Sequence, residues 1–386
     1  MLSPASAAVV GATLPVVRAH ATEITGEFYS SMFAAHPELL RVFNQGNQAD
    51  GRQQLALAAA VVAFAGHLLD PGAPPFDPIA ERIAHKHVSL GIRAEQYPIV
   101  GHHLLTAVGT VLGDAVTPEI AAAWQEVYWL LACRLIAAEA RLYERGDVDP
   151  ADVWRRWRVA KRLDEAVGTV SFTLVPDDGG PVPDFRPGQY VSVAVDLPDG
   201  RHQPRQYSLS QGPGRGSLRI TVRRAPGGAV SGFLHDCVTE DRTLLLGPPA
   251  GDTALDAGAG PVLLASAGIG ITPMAAMLDD LARTRPTRPV VLAHADRSPA
   301  HHALRRECAH TATGLANVRD LRWYEHDHDE QSRPGRMDVD ALPLTPDTTA
   351  YLCGPLPFMY GIRDGLIRRG LPAERIRYEV FGPGML

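Results

Sequence analysis

The chain has 386 residues, enough for two or three domains at roughly 150 residues each, and its 45% hydrophobic and 21% charged residues exclude a disordered chain. The 37 basic residues against 43 acidic ones give a net charge of −6, which argues against a nucleic-acid partner. Four scattered cysteines, Cys133, Cys237, Cys308 and Cys353, form no CxxC pair, which excludes a zinc ribbon or a Cys-ligated iron–sulfur cluster and fits a reducing cytosol. The apolar opening through Val17 holds Ala5-Ser6-Ala7 but lacks the basic stretch of a signal peptide. No run approaches the roughly 18 apolar residues of a membrane span. The expectation is a cytoplasmic protein with no transmembrane segment.

Residues 1–147 read as helix. Leu55–Leu69 and Ile120–Tyr143 repeat apolar residues at three- and four-residue spacing, with breaks at Asn44–Gly51, Asp70–Pro78 and Gly113–Pro118. A polar break, Gly146-Asp147-Val148-Asp149-Pro150, marks a boundary. Residues 151–256 switch to short alternating stretches, Thr169–Val175, Tyr190–Val195, Leu218–Arg223 and Thr243–Leu246, separated by Gly and Pro. This spacing predicts a small antiparallel β-barrel. Residues 260–386 carry continuous apolar runs, Val262–Ser266, Val290–His294 and Thr349–Cys353, each followed by a helical stretch. That pattern predicts an α/β domain with a parallel sheet buried on both faces.

In the helical segment His85 and His87 lie roughly 200° apart around one helix, so only one can face the core. Ile79, Ile83 and His87 follow one stripe, whereas His85 lies on the side of Glu81 and Arg82; the spacing selects His87 as the inward residue. A histidine on an apolar face is more often a satisfied core residue than a ligand. Tyr97, ten residues on, and Glu139, one turn after Leu135, change that weighting. A carboxylate on an apolar face is costly unless paired, and with a tyrosine it could fix an imidazole's tautomer and strengthen it as a donor to iron. A solvated charge beside Arg141 is the alternative for Glu139. On the opposite side of the cavity that a haem would need stand Tyr29, Phe43 and the Gln53/Leu57 pair, the last two sharing a face with Val61 and Phe64.

Together with His36-Pro37-Glu38-Leu39, Asn47-Gln48, Ile83-Ala84-His85-Lys86-His87 and Glu95-Gln96-Tyr97-Pro98-Ile99-Val100-Gly101, these residues make the segment resemble the globin half of the flavohaemoglobins. The resemblance implies a haem b held by His87 as its proximal iron ligand, with Tyr97 and Glu139 completing the proximal triad. Tyr29, Gln53 and Leu57 match the distal positions that hold O2, and Lys86 stands beside the ligand.

In the barrel, Arg205-Gln206-Tyr207-Ser208 offers a guanidinium for a diphosphate, an aromatic to stack on a flavin and a small hydroxyl for its ring edge. Gly227-Gly228-Ala229-Val230-Ser231 precedes a helical stretch read as Gly232–Cys237, where free N–H groups and Ser231 could bind phosphate. Pro187-Gly188-Gln189-Tyr190 adds an aromatic at a strand entrance. These residues resemble the FAD-binding half of the ferredoxin–NADP reductase superfamily, which implies FAD at Tyr190, Arg205–Ser208, Val230 and Ser231.

Strand Val262–Ser266 runs into Ala267-Gly268-Ile269-Gly270-Ile271-Thr272-Pro273, and Tyr351-Leu352-Cys353-Gly354-Pro355 ends a later strand. Glycines let the backbone approach a pyrophosphate at a helix start, and ligands bind at strand C-termini in such sheets. This pair resembles the same superfamily and implies an NAD(P)H site. Tyr378-Glu379-Val380-Phe381-Gly382-Pro383 is the stretch that relatives lay over the flavin. Some flavohaemoglobins carry Cys in place of Val380 and Gln in place of Ile271. Arg297, after Val290–His294, could neutralise a 2′-phosphate or be a solvated charge, so NADH and NADPH both stay in play. The family's activity implies a monomeric NAD(P)H-dependent nitric oxide dioxygenase, with O2 and NO as small-molecule partners. The alternatives are an NAD(P)H-dependent flavin/haem reductase and an O2-sensing globin.

Overall fold

The computed structural model describes residues 2–41, 52–70 and 72–381, the side chains of 52–54 excepted. The chain divides into two compact units. Among the described residues, one takes in those up to Trp154 with Pro198–Pro204; the other takes in Arg155–Leu197 and 205–381.

The first unit is helical: α1 (Pro4–Ala19), α2 (Ala21–Ala35), α3 (Arg52–Leu69), α4 (Asp77–Val88), α5 (Tyr97–Leu112) and α6 (Pro118–Arg145). Ser3 caps α1, its hydroxyl accepting the Ser6 N–H at 3.2 Å. Prolines open α4, α5 and α6 in their first turn, where a missing N–H costs no helical bond. The expected breaks at Asp70–Pro78 and Gly113–Pro118 separate α3 from α4 and α5 from α6; Asn44–Gly51 lies outside the described residues. α2 lies against α5 and α4 against α6 around a core that includes Phe28, Met32, Phe64, Phe76, Trp124 and Leu131. Trp124 Nε1 donates to Thr13 Oγ1 at 3.0 Å and pins α6 to α1.

The strands β1 (Arg155–Ala166), β2 (Thr169–Pro176), β3 (Tyr190–Asp196), β4 (His202–Ser208), β5 (Leu218–Arg223) and β6 (Thr243–Leu246) form one sheet in the order β4-β3-β6-β1-β2-β5, all of it in the second unit except the first three residues of β4. The registers β1–β2, β1–β6, β2–β5 and β3–β6 are antiparallel. A bridge from Leu209 to Ile220 brings the two outer strands together, as a barrel requires. Phe172, Val191, Leu218 and Ile220 fill the interior, and α7 (Ala229–Cys237) covers it with Leu234. The strand β1 has no counterpart in the alternating pattern. Only Trp157 and Val159 point to the core, and register shifts after Val159 and Asp164 break its two-residue period.

The remaining strands, β7 (Val262–Ala267), β8 (Val290–Asp296), β9 (Val318–Tyr324), β10 (Arg333–Pro334), β11 (Thr349–Cys353) and β12 (Ile376–Glu379), form a parallel sheet in the order β10-β9-β8-β7-β11-β12. They alternate with α8 (Ile271–Thr284), α9 (Arg305–Ala312) and α10 (Leu356–Arg368). The chain builds outward from β7 through β8, β9 and β10, then crosses to β11 on the other side. The order therefore reverses between β7 and β11, and a crevice opens at their C-terminal ends.

Candidate functional site

The helical unit holds a buried triad of imidazole, carboxylate and phenol. His87 sits in the last turn of α4, Glu139 on α6 and Tyr97 at the start of α5. Glu139 is 3% exposed, and its Oε1 accepts both His87 Nδ1 at 2.7 Å and the Tyr97 hydroxyl at 2.5 Å. The His87 Nδ1 to Tyr97 hydroxyl distance is 3.1 Å. A carboxylate acceptor fixes the proton on Nδ1, which leaves the Nε2 lone pair outward. Nε2 has no protein partner among the described residues, so the residues present fit a haem iron ligand. Burial, then the charge of Glu139, pushes the Tyr97 phenol far above its ordinary value, so it remains a donor.

The contrast between the two histidines differs from the expected one. His85 is 8% exposed, while the His87 side chain is 30% exposed. The most buried line of α4 runs through Ala80, Ala84 and Val88, one row from the Ile79–Ile83–His87 stripe, and the two histidines fall on opposite flanks of it. His85 is therefore covered too, although it is His87 that reaches the acid. On α2, Tyr29 is buried between Phe28 and Phe33, with ring centroids 4.6 Å and 5.6 Å away. Leu57 packs partly buried against the same core, and Lys86 is partly buried. Gln53 lies on α3 with its side chain outside the described residues, as does all of Phe43.

Tyr128 is a residue that the sequence reading missed. Its hydroxyl donates to the Tyr97 carbonyl at 2.5 Å, and its ring lies over Gly101, where a Cβ would come within 2.4 Å. A glycine inside the apolar helix α5, four residues after Tyr97, was the available signal of a close approach.

In the barrel, Ser208 ends β4 and its buried hydroxyl has no hydrogen-bond partner among the described residues. A native buried hydroxyl is normally satisfied, so this orphan fits a ligand edge such as that of a flavin. Gln206 Nε2 donates to Ser192 Oγ at 2.9 Å, Arg205 is partly buried, and burial pushes the Tyr207 phenol upward. Tyr190 is buried at the start of β3 with its ring 3.2 Å from where a Gly251 Cβ would lie. The helix α7 starts at Ala229, three residues earlier than expected, with Gly228 as N-cap. Val230 packs into the barrel core, and Ser231 accepts the Ala225 N–H at 3.1 Å and donates to the Gly228 carbonyl at 3.2 Å. What this turn offers a phosphate is its backbone N–H groups.

At the crevice of the parallel sheet two glycine turns meet. A Cβ on Gly270 would lie 2.2 Å from the Cys353 carbonyl oxygen, and one on Gly354 would lie 3.2 Å from the Ala267 Cβ. Gly268 has φ +55°, a conformation glycine adopts freely. Ile269 is partly buried, and Ile271, Thr272 and Pro273 are buried in the first turn of α8, whose N-terminus faces the crevice. Burial pushes the Cys353 thiol well above its ordinary value. Pro355 is the N-cap of α10. Glu379 pairs with Cys353 across β11 and β12, Val380 packs against the sheet core and Phe381 is exposed; Gly382 and Pro383 lie outside the described residues. Arg223, at the end of β5, also reaches this turn: its Nη1 would be 2.9 Å from a Cβ on Gly268.

Comparison with known proteins agrees with this geometry. The Globin family matches residues 26–134, the Oxidoreductase FAD-binding domain residues 160–253 and the Oxidoreductase NAD-binding domain residues 264–364. The class is thus a globin joined to FAD- and NAD-binding oxidoreductase domains. A flavohemoprotein of Bordetella parapertussis is 45% identical over 401 residues, covering 100% of this chain and 99% of the relative. A crystal structure of flavohemoglobin from Malassezia yamatoensis, with bound FAD and haem, superposes with a TM-score of 0.93 at 34% identity, covering 99% of this chain and 100% of that one. The FAD/NAD-binding domain of nitric oxide dioxygenase from Vibrio cholerae covers 60% of this chain and 100% of its own, with a TM-score of 0.58 at 35% identity. The chain belongs to the flavohemoprotein family.

Proposed function

We propose that this chain is a nitric oxide dioxygenase that oxidises NO with O2 to nitrate and draws its electrons from NAD(P)H. When bound, haem b supplies the iron at which the gases react, and FAD turns a two-electron hydride donor into a source of single electrons. His87 would hold the iron through Nε2 while Glu139 and Tyr97 fix its ring and strengthen it as a donor; Lys86 stands next to it. Tyr29, Gln53 and Leu57 are assigned to the gas ligand, the first two by hydrogen bonding, and Phe43 to the haem. Tyr190 and Arg205–Ser208 would bed the flavin, Val230 and Ser231 would mark its phosphate turn, and the stretch from Glu379 to Pro383 is assigned to its ring. Gly268–Pro273 and Cys353–Pro355 cradle the nicotinamide dinucleotide.

In this reading residues 1–147 carry haem, 151–256 carry FAD and 260–386 carry NAD(P)H, in a cytoplasmic monomer. Among the described residues no helix is long and apolar enough to cross a membrane. The observation that supports the reading most is the buried His87–Glu139–Tyr97 triad in one chain with two glycine turns at a sheet crossover. Its test is NO consumption in air with NAD(P)H, with nitrate measured as product. The activity should vanish in His87→Ala; full activity in that variant contradicts the ligand assignment.

A further inference from the structure

In a parallel sheet of this kind, the end of the strand after the glycine turn reads the adenosine ribose. A carboxylate there binds a free 2′-hydroxyl, whereas an arginine accommodates a 2′-phosphate. Here β8 ends in Asp296, and Arg297 follows. The two residues present opposite chemistry, and what holds Asp296 decides between them.

Asp296 is turned inward. Its Oδ1 accepts the Arg297 N–H at 2.7 Å, its Oδ2 lies 3.6 Å from His294 Nε2, and its side chain is 4% exposed. Burial opposes the charge, yet the His294 contact holds the Asp296 carboxyl below its ordinary value. His294 is fixed in turn. Its Nδ1 meets Ser266 Oγ at 2.9 Å, and its ring stacks on that of His302 with centroids 3.8 Å apart. His302 Nδ1 meets the Tyr324 hydroxyl at 2.7 Å, and the two histidines are only 1% and 5% exposed. Bonded by the Arg297 N–H and lying beside the buried stack, the carboxylate is covered rather than presented to a ribose hydroxyl.

Arg297 is exposed, and its guanidinium has no hydrogen bond or ion pair among the described residues. The adjacent acid is engaged elsewhere: Glu325, whose N–H bonds the Asp296 carbonyl, lies 3.7 Å from Arg336. Arg223 adds a second guanidinium against Gly268, and its charge also reaches Asp296, so the buried carboxylate is offset where it would repel a phosphate.

We propose that Arg297 takes the 2′-phosphate of NADPH, with Arg223 beside the pyrophosphate, so that the chain binds NADPH in preference to NADH. This rests on the coenzyme site proposed above. Calorimetric titration of the full chain, loaded with its cofactors, with 2′,5′-ADP and with 5′-AMP, which differ only by the 2′-phosphate, tests it without turnover. One charge-assisted phosphate contact predicts that 2′,5′-ADP binds about 10-fold or more tightly than 5′-AMP. That ratio should fall to about one in Arg297→Ala and persist in Arg336→Ala, and Arg223→Ala should weaken both probes. Equal affinities in the unaltered chain, or a ratio that Arg297→Ala leaves unchanged, overturn the assignment. If neither probe binds, the coenzyme site itself is wrong and the proposal falls with it.

Discussion

Replacing Glu139 probes the triad at its most loaded atom, because one buried oxygen accepts both bonds. His87 Nδ1 lies 2.7 Å from Oε1 and the Tyr97 hydroxyl 2.5 Å from it. In Glu139→Gln an amide oxygen can keep both bonds, so what is lost is charge. Two charge-assisted bonds of about 1.5–3 kcal/mol each become neutral ones of about 0.5–1.5 kcal/mol each. The loss is offset because no buried carboxylate need be desolvated. In Glu139→Leu the acceptor disappears, but Tyr97 and His87, 3.1 Å apart, can bond each other. At most one buried donor is then unmet, at a cost of about 1–3 kcal/mol. Both variants should therefore fold, while ligation suffers in graded fashion. Loss of an outer partner of a metal-bound histidine predicts haem retention and NO turnover reduced about 10- to 100-fold in Glu139→Leu, with Glu139→Gln between it and the unaltered chain. The assays are haem transfer to an apoglobin acceptor and NO consumption in air with NAD(P)H, with thermal unfolding as the control. A Glu139→Leu protein that keeps its haem and its turnover within about twofold refutes the proposed role of the carboxylate.

Three further outcomes follow from named contacts. Gly270→Ala would drive a Cβ to 2.2 Å from the Cys353 carbonyl oxygen, so it should abolish NAD(P)H reduction of the flavin while leaving the haem spectrum intact; normal flavin reduction contradicts the cradle. Ser208→Ala removes a hydroxyl without a protein partner, so the protein freed of cofactor should lose no thermal stability, whereas FAD affinity should fall by about 3- to 10-fold, one neutral hydrogen bond's worth. Unchanged FAD affinity in equilibrium dialysis contradicts that placement. Burial raises the phenols of Tyr97, Tyr128 and Tyr143 above their ordinary 10.0. Folded-state values above the unfolded ones contribute stability that is intact below about pH 10 and is lost as pH rises from there toward the folded values. The unfolding midpoint of the helical unit should drop above about pH 10, less steeply in Tyr97→Phe; a flat profile contradicts the burial of these groups.

Much of the fold could be read from periodicity wherever an element has one clear buried face or is buried throughout. The helices of the first unit and the central strands β7, β8 and β11 are of this kind. The signal faded at β1, where bulges and an arginine-rich outer face hide the two core positions, and at β9 and β12, which lie toward the sheet edges and carry charges. The triad was legible because a carboxylate on the apolar face of α6 needs a partner, and spacing supplied one. Spacing alone misjudged His85, since helix-face arithmetic places residues on a cylinder without saying how far the packed neighbour wraps around it. Tyr128 and Arg223 were missed for a related reason. Each acts through a contact between elements far apart in sequence, Tyr128 over Gly101 and Arg223 against Gly268. The inward turn of Asp296 depends on a stacked imidazole pair eight residues apart, which no local pattern announces.

Delivery of electrons through the chain is tested most directly by mixing the cofactor-loaded protein rapidly with NAD(P)H under anaerobic conditions and following the flavin and haem bands separately. The flavin should bleach first and the haem should then become ferrous; admitting O2 and NO should yield nitrate as NO disappears. A flavin fully bleached beside a haem that stays ferric would contradict the proposed relay.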